Sequence, residues 1–234
     1  MTRGAGRLRT AATTRLSRDA RPRVAVDTIL FAFRDHQLQC YLVELARGEA
    51  AGQWAFPGRL VRIGEKLDEA ARADLAASTG LRDVYLEQLF TFGDPTRDPR
   101  THVVSVAYMG LTAAPETVSA CSAKYAQGRW CGVERLPRLA YDHPQMADYA
   151  LNRLRAKLEY TNIALYLLPP AFTFAQLEEL YATVLERELD RRNFRRRILA
   201  SGLLRRLSQE RRGAHRPAAL YEFAPRSLRT IEML

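Results

Sequence analysis

The hydrophobic pattern changes period once along this chain, and that change constrains the fold more than any other feature. Between residues 24 and 111 the apolar residues come in short runs rich in β-branched and aromatic side chains. From 143 to 200 they recur every three or four residues. The first pattern belongs to strands and the second to helices that bury one face. A chain of 234 residues has room for one or two domains of roughly 100–200 residues each. The switch therefore predicts two units, an α+β domain followed by a small helical one.

In the first unit, Val24 to Phe33 and Leu38 to Leu45 read as a hairpin around the turn at 34–37. Residues 58–64 read as a loop. Leu67, Ala70, Ala71 and Leu75 then mark a helix that ends at Gly80, a residue suited to the left-handed position past a helix end. Val84 to Phe92 and His102 to Leu111 read as strands on either side of the turn-rich stretch 93–100, and the unit ends near Leu136. A helix over 143–160, with Met146, Tyr149, Ala150, Leu154 and Leu158 inward, connects it to the second unit.

The second unit has stronger local signals. A short apolar helix over 162–168 is stopped by Pro169 and Pro170. Thr173 and Gln176 have the spacing of a capping box, and Phe172 and Leu177 that of a hydrophobic staple. Asp190 caps a further helix, Arg191 to Ala200, which Ser201 and Gly202 terminate. Phe194 and Ile198 share its inward face. At about 100° per residue, Arg192, Asn193 and Arg196 point the opposite way, with Arg191, Arg195 and Arg197 on the flanks. Strands at 203–207 and 217–223 enclose a polar basic loop carrying Arg211 and Arg212. Helix, helix, arginine-rich helix and basic hairpin, in that order, are the parts of a winged helix-turn-helix. Arginine and asparagine are the side chains that read guanine and adenine edges in the major groove. An isolated run of charge is usually a solvated helix face. Here it falls on the third helix and the hairpin tip together, the two places where this fold meets duplex DNA. An RNA-binding surface would interleave exposed aromatics with the arginines, whereas Phe194 is committed to packing.

The charge is segregated. The chain carries a net +10. Residues 1–23 hold seven arginines against Asp19, and residues 187–216 hold eleven arginines against three acids, so the body between them is acidic. Residues 1–22 lack periodicity and read as a basic arm, either a tail with no specific role or one that touches DNA. No apolar run approaches the roughly 18 residues of a membrane span, and no secretory signal is visible, so a cytoplasmic protein is expected. Three cysteines without a C-x-x-C pair support neither a disulfide framework nor a structural zinc site.

The loop from Phe56 and Gly58 through Gly64 and Glu65, and the helix ending Thr79, Gly80 and Leu81, look like a Nudix box, G-x5-E-x7-R-E-U-x-E-E-x-G-U. That pattern's chemistry needs clustered carboxylates that hold a divalent metal against a pyrophosphate. Registered on Glu65 and Gly80, the box puts Arg59 at its first glycine, Ala73 at its arginine and Asp74 at the next glutamate. Its paired metal-binding glutamates fall on Ala77 and Ser78. The metal cluster is dismantled, so no catalytic residue, metal or cofactor is expected.

A Nudix-like domain without its metal ligands, followed by a winged helix, resembles the Nudix-related transcriptional regulators of NAD metabolism, the NrtR family. The resemblance covers nearly all of 24–224. Its most specific stretches are 85–94, 97–100, 104–108, 154–161, 192–196 and 216–221. It implies a Nudix-like α/β/α sandwich over 24–137, a linker helix over 138–160 and a winged helix over 161–225, with a short tail at 226–234. It further implies a cytoplasmic homodimer that represses NAD synthesis or salvage genes from a palindromic operator. The effector would be ADP-ribose or a related nucleotide, although some relatives sense sugar derivatives. Candidate DNA contacts are Arg191, Arg192, Asn193, Arg195, Arg196, Arg197, Arg211 and Arg212. Candidate effector contacts are Arg59, Arg97 and Arg100 for phosphates and Trp54 or Phe56 for stacking. Trp54 and Phe56 fit core positions equally well, and Arg97 fits a turn ion pair with Asp98. A working Nudix hydrolase with a DNA-binding tail is the competing reading, and Ala77 and Ser78 stand against it.

Overall fold

A computed structural model describes residues 21–118, 122–211 and 217–230. The arm up to residue 20, the candidate DNA contact Arg212 and the last four residues lie outside them.

The first domain is built on one sheet. Strand β1 (Arg23–Arg34) is its centre, and its run of apolar residues is buried on both faces, as expected of a central strand. It pairs antiparallel with β2 (Gln37–Leu45) through a tight turn in which Asp35 and His36 both adopt positive φ, the geometry that matches strand twist in a two-residue hairpin. On its other side β1 runs parallel to β6 (Val103–Thr112), which pairs antiparallel with β5 (Tyr85–Phe92). Short strands β3 (Trp54–Ala55) and β4 (Gly58–Leu60) attach to β2 and β1 respectively. The stretch from Gly58, which reads as a loop in the sequence, thus begins as a strand. Strand β7 (Tyr125–Gly132) completes the sheet along β2. It has no clear alternation, and the close packing that requires Gly128, where a Cβ would overlap the Tyr41 hydroxyl, is invisible in the sequence.

Alternation along β1 sends its side chains to two different helices. Val26 packs with Ala70 and Ala71 of α1 (Leu67–Thr79), and Leu30 with Leu75. Ile29 and Phe31 belong to the core with Met146, Ala150 and Leu154 of α2 (His143–Tyr160). The sheet is therefore sandwiched between α1 and α2, and α2 is a layer of the domain rather than a free connector. Gly80 ends α1 with φ of 80°, and its N–H donates to the carbonyl of Ala76.

The core continues without a break from α2 into the second domain. Ile163–Tyr166 forms a 3-10 turn rather than an α-helix. Strand β8 (Phe172–Thr173) leads into α3 (Phe174–Leu185), whose capping box is complete: the Thr173 hydroxyl accepts from the Gln176 N–H, and the Gln176 side chain accepts from the Thr173 N–H at 2.9 Å. Glu186 in the left-handed conformation ends α3. Asp190 then caps α4 (Arg191–Ala200), accepting from the Asn193 N–H at 3.0 Å. Strands β9 (Leu204–Arg211) and β10 (Ala218–Phe223) form the wing, with β8 on the far side of β10. Because β9 runs on to Arg211, residues 208–211 belong to the strand and not to the loop.

Candidate functional site

Two sites can be built from these elements. The first is a cleft of about 470 Å³ over the sheet end, bounded by β1, β4, the 93–102 turn, the start of β7 and the start of α2. Gly58 forms one wall because β4 crosses β1 too closely for a side chain: a Cβ there would lie 2.6 Å from the Val26 carbonyl oxygen and overlap the Asp27 carboxylate. Phe56 forms the floor. It is buried and stacked on His143, whose Nδ1 accepts the Phe56 backbone N–H at 2.9 Å. Burial lowers the pKa of that imidazole, so it sits neutral with its Nδ1 lone pair occupied.

The guanidinium groups expected here are present, but their partners differ from those the sequence suggests. Arg97 does not pair with Asp98. It donates from Nε and Nη2 to Asp142 at 2.8 and 2.6 Å, and its side chain is only 5% exposed. Arg97 therefore ties the turn to the residue that precedes α2. Asp98 is taken instead by Arg100, with contacts of 2.9 and 2.7 Å. Arg100 remains half exposed, and its guanidinium lies 5.9 Å from the Tyr141 ring. Tyr141 itself is held at φ of 55°, a strained position for a bulky residue. Arg59 forms a two-point ion pair with Glu65, which holds that carboxyl down at about 2. Trp54 is absent from the cleft wall; it lies under the Arg129 guanidinium at 4.1 Å.

Three cations lining the cleft were not expected from the sequence. Arg23 and Arg47 reach it without an ion pair among the described residues. Lys124, from the start of the β7 segment, donates to the Gly58 carbonyl at 2.5 Å and to Asp74 at 2.7 Å. Asp74 is buried, which raises its pKa, and the ammonium opposes that rise. None of the three belongs to a recognisable motif, so only the fold could bring them here. Glu65 and Asp74 are the two box carboxylates that survive, and each is occupied by a side-chain cation. Ala77 and Ser78 supply no further carboxylate, and no group of three metal-ligating side chains exists among the described residues.

The second site is the face of α4. Phe194, 3% exposed, packs against Phe174 and Tyr181, and Ile198 is buried beside it. These two anchors fix the helix rotation, leaving Arg191, Arg192, Arg195, Arg196 and Arg197 exposed and Asn193 half-buried. Arg196 donates to the Asn193 side-chain oxygen at 2.6 Å, so the two are held together. Arg195, also exposed, lies over the Phe174 ring and within 3.2 Å of the Tyr221 hydroxyl at the wing base. Arg211 donates to Gln176 at 2.9 Å. None of the five arginines of α4 forms an ion pair with a carboxylate among the described residues, although Glu178 of α3 lies near enough to Arg191 and Arg195 to feel their charge. Surfaces normally intersperse the two signs of charge, so this face is strongly cationic.

Comparison with known proteins agrees with this geometry. Residues 21–151 match the NUDIX domain and residues 164–223 the NrtR DNA-binding winged helix domain. The ADPR responsive transcriptional repressor NtrR of Acinetobacter baylyi is 32% identical over 87% of this chain and 82% of its own length. The chain belongs to the NrtR family. The crystal structure of Shewanella oneidensis NrtR complexed with a 27mer DNA superposes with a TM-score of 0.77 at 30% identity, covering 86% of this chain and 93% of that one. The Nudix domain of the same NrtR, complexed with ADP ribose, aligns at 31% identity over 58% of this chain and 90% of its own, with a TM-score of 0.51. An ADP-ribose pyrophosphatase of Methanocaldococcus jannaschii is 32% identical over 55% of this chain and 73% of its own. No described helix of the present NrtR-family chain is long and apolar enough to cross a membrane.

Proposed function

We propose that this protein is a transcriptional repressor that binds duplex DNA through α4 and the wing and responds to a nucleotide diphosphate, ADP-ribose foremost, held in the first-domain cleft. The observation that carries the reading is α4 itself: a buried Phe194–Ile198 anchor beneath a row of arginines, none in an ion pair with a carboxylate among the described residues. The repressor of Acinetobacter baylyi and the DNA and ADP ribose complexes of the Shewanella protein support it. A homodimer on a palindromic operator near NAD synthesis or salvage genes extends the same reading.

The two sites share α2. Its start lies in the cleft wall, where Arg97 grips Asp142 and Phe56 grips His143. Further along, the Arg155 guanidinium donates to the Val184 carbonyl at 2.8 Å and pairs with Glu186, the two residues around the end of α3. A ligand that shifts the start of α2 therefore also acts on the winged helix. It changes DNA affinity only by as much as its affinities for the two arrangements differ. We also infer that the domain does not turn nucleotide over, since both surviving box carboxylates are paired and Ala77 and Ser78 cannot bind metal.

Two measurements test the repressor reading: fluorescence anisotropy with a duplex from the gene's own upstream region, with and without ADP-ribose, and chromatography for AMP in the presence of Mg²⁺. Tight, salt-sensitive binding that ADP-ribose alters, without AMP release, is the expected result. Steady hydrolysis would favour the enzyme reading, and no duplex binding at low salt would reject the repressor.

A further inference from the structure

Both carboxylates that the Nudix box leaves in this chain are held by cations that belong to the chain itself. Arg59, at the position of the box's first glycine, closes on Glu65. Lys124 closes on Asp74, 50 residues away, and on the Gly58 carbonyl. The Lys124 pair has the character of an ion site. Its Asp74 side chain is 6% exposed, and the second carboxylate oxygen of Asp74 has no hydrogen-bond partner among the described residues. The two hydrogen bonds of the ammonium nitrogen both go to oxygen atoms, the donor set that a hard cation takes, and the Tyr125 ring lies beneath it at 4.7 Å.

The choice of residue is informative. The chain uses 33 arginines and only three lysines. An ammonium is a compact point charge with three donors, whereas a guanidinium is a wide planar fork. Two of the Lys124 donors are used by Gly58 and Asp74, which leaves one N–H without an oxygen acceptor among the described residues, with the Tyr125 ring 4.7 Å from the nitrogen. The Lys124 side chain is 38% exposed and lines the cleft. A divalent metal approaching Asp74 would meet a positive charge already in place.

We infer that the Lys124 ammonium is a resident cation that replaces divalent metal in this cleft, donating its third N–H to the diphosphate of the bound nucleotide. Effector binding is therefore independent of metal. This rests on the cleft being the ADP-ribose site.

Calorimetric titration of the full-length protein with ADP-ribose, in EDTA and again in millimolar Mg²⁺, separates the possibilities. The wild type should bind with the same affinity in both buffers. Lys124→Met should bind about tenfold or more weakly in EDTA, the range set by loss of one charge-assisted hydrogen bond. Lys124→Arg keeps the charge and should stay metal-independent, with circular dichroism checking the fold of each variant. The Lys124→Met, Asp74→Asn double variant removes both charges and should remain weak, which guards against a single variant failing through an unpaired buried carboxylate. Wild-type binding that requires Mg²⁺, or full affinity in the folded double variant, would overturn the inference while leaving the effector assignment standing. No binding in either buffer would remove the effector assignment and this inference together.

Discussion

Truncating Arg196 isolates the difference between reading DNA and merely adhering to it. The side chain is exposed on α4, and it donates to the Asn193 side-chain oxygen at 2.6 Å. Alanine at an exposed helical position costs the fold nothing in propensity, so Arg196→Ala should unfold at the same denaturant concentration as wild type. If Arg196 holds a base edge, its removal costs about 1–3 kcal/mol per half-site, or about 5- to 150-fold in affinity. A complex with two symmetric half-sites doubles that free energy. A phosphate contact would behave differently, weakening every duplex alike and lowering the slope of log K against log salt by about 0.9 per contact. The assay is anisotropy on the operator and on a scrambled duplex of equal length, each across a salt series. Loss confined to the operator, with the scrambled duplex unchanged, is expected. Equal loss on both duplexes with a shallower salt slope would refute base reading, as would no loss at all.

The packing of the cleft leads to two more expected outcomes. Gly58→Ala places a Cβ 2.6 Å from the Val26 carbonyl and into Asp27, so β4 must move away from β1. This should cost about 1–3 kcal/mol in a denaturation experiment and weaken nucleotide binding, because the Gly58 carbonyl also positions Lys124. His143 is buried neutral with its pKa below the usual 6.5, so the unfolded chain binds more protons and stability falls as pH drops below about that value. Above it the full contribution is present. Comparing chemical denaturation at several pH values, His143→Gln, whose amide oxygen can still accept from Phe56, should show a weaker acid-side loss than wild type; parallel curves would contradict the burial argument.

What the sequence determined by itself is local. The capping box at Thr173, the Asp190 cap and the inward Phe194 and Ile198 depend on neighbours within four residues, where backbone geometry leaves little choice. The missing carboxylates at Ala77 and Ser78 are likewise read from a fixed spacing. The tertiary structure alone decided which charge meets which. Arg97 takes Asp142 rather than its neighbour Asp98, the flanking Arg195 reaches the Tyr221 hydroxyl of the wing, and Trp54 sits beneath Arg129. Lys124 reaches Asp74 only because β7 returns along β2 to the edge of the cleft. A long side chain in water can pair with any of several acids, and sequence spacing ranks none of them; the sheet, by fixing which chain segments cross, leaves one partner within reach.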